Sequence, residues 1–86
     1  MEFEFDEEEN LTNRKKHGVG FVEAQAMWDD ENLLEIPAKT EDEPRSILIG
    51  RMHGKIWAAV ITRREGRTRI ISVRRARKEE QALYES

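Results

Sequence analysis

Six arginines crowd the thirteen residues from Arg63 to Arg75: Arg63, Arg64, Arg67, Arg69, Arg74 and Arg75. A guanidinium group stays charged, and its planar fork meets the oxygens of a carboxylate or phosphate two at a time. Six of them around an apolar middle ask for an anionic partner. The stretch that carries them, Ile56 to Arg75, reads as a β-hairpin. A β-branched and aromatic run (Ile56, Trp57, Val60, Ile61, Thr62) meets a turn signal at Glu65-Gly66, and a second run (Thr68, Ile70, Ile71, Val73) follows. A two-residue turn pairs Arg64 with Arg67 and Thr62 with Arg69. One face then carries Thr62, Arg64, Arg67, Arg69 and, further along, Arg75. The other carries Arg63, Thr68, Ile70, Ser72 and Arg74. A three-residue loop would shift this register by one and redistribute the faces.

Composition narrows the chemistry. The 86 residues leave room for one domain, 1–86, with a modest core. No apolar run approaches the length of a membrane span and no signal peptide is evident, so a soluble cytoplasmic protein is expected. The absence of cysteine excludes disulfides, thiolate chemistry and cysteine-zinc sites. His17 and His53 lie far apart, and a metal site built from carboxylates has no motif behind it, so neither metal nor cofactor is expected. The net charge of −3 hides a division. Residues 1–44 hold fourteen acids against four bases, a net −10, whereas residues 45–86 hold four acids against eleven bases, a net +7. An acidic whole argues against indiscriminate binding to nucleic acid, while a basic half permits binding on one face. The two halves can also neutralise each other across the fold.

The remaining elements must position the hairpin. MEFEF alternates, as a short strand with Phe3 and Phe5 inward. Asp6 and Glu9 have capping-box spacing, and Glu7 and Glu8 suit the positive end of a helix. Helix 1 is predicted from Glu7 to His17, closed by Gly18 in a positive-φ conformation. It is polar, with Leu11 its clear apolar anchor. A second helix follows up to Trp28, with Phe21, Ala24 and Trp28 on one face and Met27 beside it. Leu33–Ala38 reads as a short strand that Pro37 stops or confines to an edge. Lys39–Pro44 reads as a charged, mobile loop, Arg45–Met52 as a strand, His53-Gly54 as a turn, and Lys78–Tyr84 as a short C-terminal helix. The expected fold is α+β: an antiparallel meander with two N-terminal helices on one face, its other face left for solvent or a ligand.

These residues resemble the BrnT family, the toxin half of the type II BrnT–BrnA toxin–antitoxin systems. The resemblance runs nearly end to end. It is carried by Phe3 to Asp6, by Asn13 with Lys16-His17-Gly18-Val19 and Phe21, by Glu23-Ala24, by Trp28-Asp29-Asp30 and by Ile49-Gly50. It continues through Thr62-x-Arg64, Arg69-Ile70-Ile71-Ser72-x-Arg74-x-Ala76, Glu80 and Tyr84. It implies a RelE/ParE-like fold and a cytoplasmic ribonuclease activity that arrests translation. It also implies neutralisation by a BrnA-type antitoxin in a hetero-oligomeric complex, two toxins on an antitoxin dimer, with operator DNA contacted only through the antitoxin. Three features depart from the pattern: Gly20 where a capping serine is usual, Val73 for a small alanine, and the pair Glu79-Glu80 in a usually more basic segment.

RNA cleavage without a metal needs a base for the 2′-hydroxyl, stabilisation of the pentavalent phosphate and a proton for the leaving 5′-oxygen. Arginine suits the second task, and Arg64 with Arg69 is the expected phosphate clamp. Thr62, Arg67, Arg74 and Arg75 are the expected RNA-binding residues. The proton carriers are sought among Lys16, His17, Glu80 and Tyr84. Histidine has the right chemistry, and Tyr84 can also stack on a base. The alternative for the arginines is a set of surface ion pairs with Asp29, Asp30 or Glu80. His17 with Lys16 can instead cap the helix, and Tyr84 can be a terminal anchor. His53 is expected at the surface. Two other functions use the same face: a non-catalytic binding module, or a ParE-like inhibitor of a protein target.

Overall fold

The computed structural model describes residues 1–39 and 43–86. Five strands form one sheet: β1 (Phe3–Glu4), β2 (Leu34–Ala38), β3 (Arg45–Met52), β4 (Lys55–Arg64) and β5 (Arg67–Arg75). Their spatial order is β1-β5-β4-β3-β2. From β2 to β5 the chain is the expected antiparallel meander. Its two tight turns have both central residues at positive φ: His53 at 52° and Gly54 at 75°, then Glu65 at 49° and Gly66 at 79°. This is type I′ geometry, whose twist matches the flanking strands, and glycine adopts it without steric cost. Pro37 lies in β2, at the edge of the sheet, where no neighbour needs its missing N–H.

The sheet as a whole is mixed rather than purely antiparallel, which corrects the expected meander. β1 runs parallel to β5, with Phe3 opposite Thr68 and Glu4 opposite Arg69. A parallel neighbour requires a long crossover. All the chain between β1 and β5 supplies it. The N-terminal segment thereby comes to lie directly beside the arginine-rich strand.

Helix α1 (Glu7–His17) has the predicted bounds. Asp6 Oδ1 accepts the Glu8 N–H at 2.9 Å, and Gly18 closes the helix at φ 77°. Its anchor is not Leu11, which is 52% exposed. Two buried asparagines hold it instead. Asn13 Oδ1 accepts the Val73 N–H at 3.0 Å, while Nδ2 donates to the Val73 carbonyl at 2.8 Å and to the Val19 carbonyl at 2.9 Å. One side chain therefore occupies both polar groups of a β5 residue, as a neighbouring strand would. Asn10 Oδ1 accepts the Phe21 N–H at 2.7 Å. It caps α2 (Phe21–Ala24), whose own cap residue, Gly20, makes no side-chain hydrogen bond.

The expected second helix divides into the four residues of α2 and a 3₁₀ segment, Gln25–Asp29. The reason lies in the spacing. A 3₁₀ turn repeats every three residues, and Phe21, Ala24 and Met27 are the fully buried positions. Trp28 consequently sits at the margin, edge-on to Phe3 with ring centroids 4.9 Å apart. Phe21 and Met27 pack with Leu48, Ile61, Ile70 and Val73 on this sheet face. Burying side chains of this size stabilises by about 1.5–3 kcal/mol each. The other face is not left bare either. Helix α3 (Lys78–Glu85) packs there, with Tyr84 against a cluster of Ile49, Ile56 and Ala76. Of the loop expected to be mobile, Lys39–Pro44, residues 40–42 lie outside the described residues.

The Asn13 contact is testable. Asn13→Ala leaves the buried N–H and C=O of Val73 without their partner, so a loss of about 2–3 kcal/mol is expected in urea unfolding. A variant as stable as the parent would show that α1 is held by something else.

Candidate functional site

The register of the hairpin decides which arginines act together. Arg64 pairs with Arg67, Arg63 with Thr68, Thr62 with Arg69 and Ile61 with Ile70, as a two-residue turn requires. The next pair is Val60 with Ser72. Ile71 is thus an extra residue, a β-bulge, and every side chain beyond it changes face. Ser72 and Arg74 join the face of Thr62, Arg64 and Arg69, the face that α3 partly covers. Arg75 crosses to the helix face, where its guanidinium lies 5.6 Å from the Trp57 ring. The expected division, with Arg75 beside Arg64 and with Ser72 and Arg74 opposite, assumed an unbroken pleat and is corrected by the bulge. Arg63 faces the helices and binds Glu35 with both guanidinium nitrogens, at 2.7 and 2.8 Å. Hydrogen bonding from Arg63 holds the Glu35 carboxyl below its ordinary range, against the opposing effect of burial.

Arg64 and Arg69, diagonal neighbours across the hairpin, line one open depression of about 450 Å³ with Glu4 and Glu65. Both arginines are ion-paired, but not with Asp29, Asp30 or Glu80. Arg64 donates to Glu43 at 3.0 Å, and this hydrogen bond raises its pKa further. Glu4 lies between Arg67 and Arg69, one carboxylate oxygen 3.9 Å from each. Among the described residues neither oxygen of Glu4 accepts a hydrogen bond. MEFEF by itself does not reveal this place, since its alternation says only that Phe3 and Phe5 face inward. The same alternation puts Glu4 on the opposite face, and the pairing with β5 then sets it against Arg69. Thr62, although on this face, is buried, and its hydroxyl donates to the Pro44 carbonyl at 2.8 Å.

Lys16 and His17 line a separate depression of about 350 Å³. It runs along the edge of β5, between α1 and the bulge, and includes Asp6, Thr12, Ile71 and Ser72. His53 is exposed in its turn, 3.3 Å from Glu23. Among the described residues no group of three His, Asp or Glu side chains could hold a metal ion. None of their helices is long and apolar enough to cross a membrane.

Glu80 and Tyr84 are both engaged by the fold. Arg74 donates to the two oxygens of Glu80 at 2.8 and 2.9 Å, and the Arg77 N–H donates to Oε1 at 2.8 Å. Glu80 is only 7% exposed. The hydrogen bond from Arg74 lowers its pKa, with burial acting the other way. At the far end of α3 the Tyr84 hydroxyl donates to Asp30 Oδ2, which raises the pKa of the phenol. Asp30 also accepts the N–H groups of Arg51 at 2.7 Å and Asn32 at 2.9 Å. Burial favours its neutral form, but the hydrogen bonds outweigh it and its pKa is lowered. The helix is thus fixed at its beginning and at its end.

A carboxylate with a lowered folded pKa stabilises the fold above the unfolded value, and that stability is lost as pH falls through the folded value. Glu80→Gln is therefore expected to be less stable than the parent near neutral pH. The gap should close below the ordinary glutamate range, about pH 4.3. Urea midpoints measured between about pH 7 and about pH 3 check this. A gap that does not change with pH would contradict the ionic role.

The model of the ribonuclease toxin BrnT of type II toxin–antitoxin systems matches residues 5–80. The matched span includes Lys16, His17, Arg64, Arg69 and Glu80, and stops before Tyr84. No curated protein matches the sequence. The match extends over most of the chain and takes in both the helix layer and the arginine hairpin. The chain therefore belongs to the BrnT family, ribonuclease toxins of type II systems in which a toxin is paired with an antitoxin.

Proposed function

We propose that this toxin is a cytoplasmic endoribonuclease that cleaves RNA by metal-independent acid/base chemistry and so arrests translation. The observation that carries the proposal is the depression shared by Arg64 and Arg69. Two guanidinium groups on one sheet face can hold two oxygens of a scissile phosphate and stabilise its added charge. Metal-independent chemistry is supported by the two arginines of the depression, which supply the positive charge that a metal would otherwise bring to the phosphate. An incoming phosphate displaces Glu43 from Arg64 and takes the hydrogen-bonding positions of Arg69 that Glu4, at 3.9 Å, leaves open.

Arg67, exposed beside the clamp, receives the neighbouring phosphate. Lys16 and His17 stand in the next depression along β5, together with Asp6, Glu8 and Glu9, and His17 is the residue there whose type can carry a proton near neutrality. In this reading Arg74, Glu80 and Tyr84 position α3, Thr62 holds the start of β3, and Arg75 covers Trp57. The antitoxin is of the BrnA type, as the sequence resemblance implies. An acidic or amphipathic segment of it is suited to the arginine face, with two toxins carried on an antitoxin dimer.

Arg64→Ala and Arg69→Ala are each expected to lower the RNA cleavage rate about 10²–10³-fold, as loss of an oxyanion-stabilising donor does. The circular dichroism spectrum should be unchanged. Cleavage by the parent should persist in excess EDTA and stop on addition of the antitoxin. Growth arrest with intact RNA would favour a non-catalytic or protein-directed toxin, and full activity in the double variant would remove the clamp from the site.

A further inference from the structure

Two carboxylates line the arginine depression, Glu65 exposed in the hairpin turn and Glu4 partly buried in β1. Glu4 lines the same depression as Arg64 and Arg69, and its two oxygens look toward Arg67 and Arg69 at 3.9 Å. Those separations exceed hydrogen-bonding distance. Among the described residues no donor occupies the lone pairs of Glu4. Its contrast with the other carboxylates paired to hairpin arginines is sharp. Glu35, Glu43 and Glu80 all accept hydrogen bonds from arginine at 2.7–3.0 Å. Glu4 is held in place by its backbone, in the pairing of β1 with β5, and its side chain is about a quarter exposed. A group that must accept a proton needs a free lone pair, a fixed position and access to substrate.

We infer that Glu4 is the general base of RNA cleavage, a catalytic residue of the ribonuclease reading above. With a phosphate on Arg64 and Arg69, Glu4 takes the proton of the adjacent ribose 2′-hydroxyl. The 2′-oxygen forms a bond to phosphorus, the bond from phosphorus to the 5′-oxygen breaks, and a 2′,3′-cyclic phosphate results. The departing 5′-oxygen takes a proton from water. Glu4 then returns its proton to the hydroxide so formed, which closes the balance. The flanking arginines stabilise the charge of the phosphorane.

The test is single-turnover cleavage by Glu4→Gln, which removes the base but keeps the shape of the side chain. A loss of about 10²–10⁴-fold is expected. Affinity for RNA blocked by 2′-deoxy substitution should be equal or tighter, because a negative charge has gone. The deficit should persist on a substrate with sulfur in place of the 5′-oxygen, which leaves without protonation. Glu4→Ala, with a cavity in place of the side chain, should regain part of its rate in added sodium formate, and it carries the test if Glu4→Gln does not fold. Cleavage within about threefold of the parent overturns the proposal. So does a loss explained by weaker RNA binding, a deficit abolished by the 5′-sulfur substrate, or no response to formate. If the parent cleaves no RNA, the ribonuclease reading fails and this one with it. If the parent cleaves and Glu4→Gln does so equally, only the role of Glu4 fails.

Discussion

Asn13 is the side chain on which the arrangement depends. It reaches from the middle of a polar helix to both backbone groups of Val73, sixty residues away. A helix with no apolar stripe cannot be held to a sheet by burial alone. Here an amide takes over that task by imitating a strand at the edge of β5. The contact lies two residues beyond the bulge at Ile71. It therefore fixes α1, the bulge and the depression containing Lys16 and His17 relative to one another. On the same strand, the parallel pairing of β1 brings Glu4 to Arg69. Strand β5 thus receives the N-terminal segment along its open side, first as a strand and then as a helix.

The division of charge between the two halves of the sequence becomes a set of named pairs. Glu35 binds Arg63, Glu43 binds Arg64, and Glu4 stands between Arg67 and Arg69. Each joins the acidic first half to the basic second half. Most of these groups are well exposed, so the pairs add little to stability. Their effect is on where the charge lies. At Arg64 the carboxylate of Glu43 occupies the position that an anionic ligand would take, and the cation is kept in order before it arrives. Arg74 and Glu80 differ. Both are largely buried, with bidentate geometry, and they tie α3 to the sheet beside the site.

Much of this was legible in the sequence. Helix α1 with its cap and closing glycine, the turns at His53-Gly54 and Glu65-Gly66, and the bounds of β3 each follow from local chemistry written in adjacent residues. So does the family, because the motif residues recur in order along the chain. The concentration of arginine in the hairpin was legible as well, but not that Glu35, Glu43 and Glu80 are the carboxylates that Arg63, Arg64 and Arg74 bind. The importance of Asn10 and Asn13 was not. A polar residue within a helix gives no sign of whether its partner is water or a distant strand.

The sequence by itself determined most of the elements and the arginine-rich character of the hairpin, because turns, caps and charges are local properties. Only the tertiary structure decided which arginines share a face. That depends on one unpaired residue, Ile71, and a bulge inside a run of β-branched residues leaves no mark on the alternation. Only the tertiary structure, again, placed Glu4 between Arg67 and Arg69. The parallel pairing of the first strand with the last is set by packing across the whole chain, and no neighbouring residue encodes it.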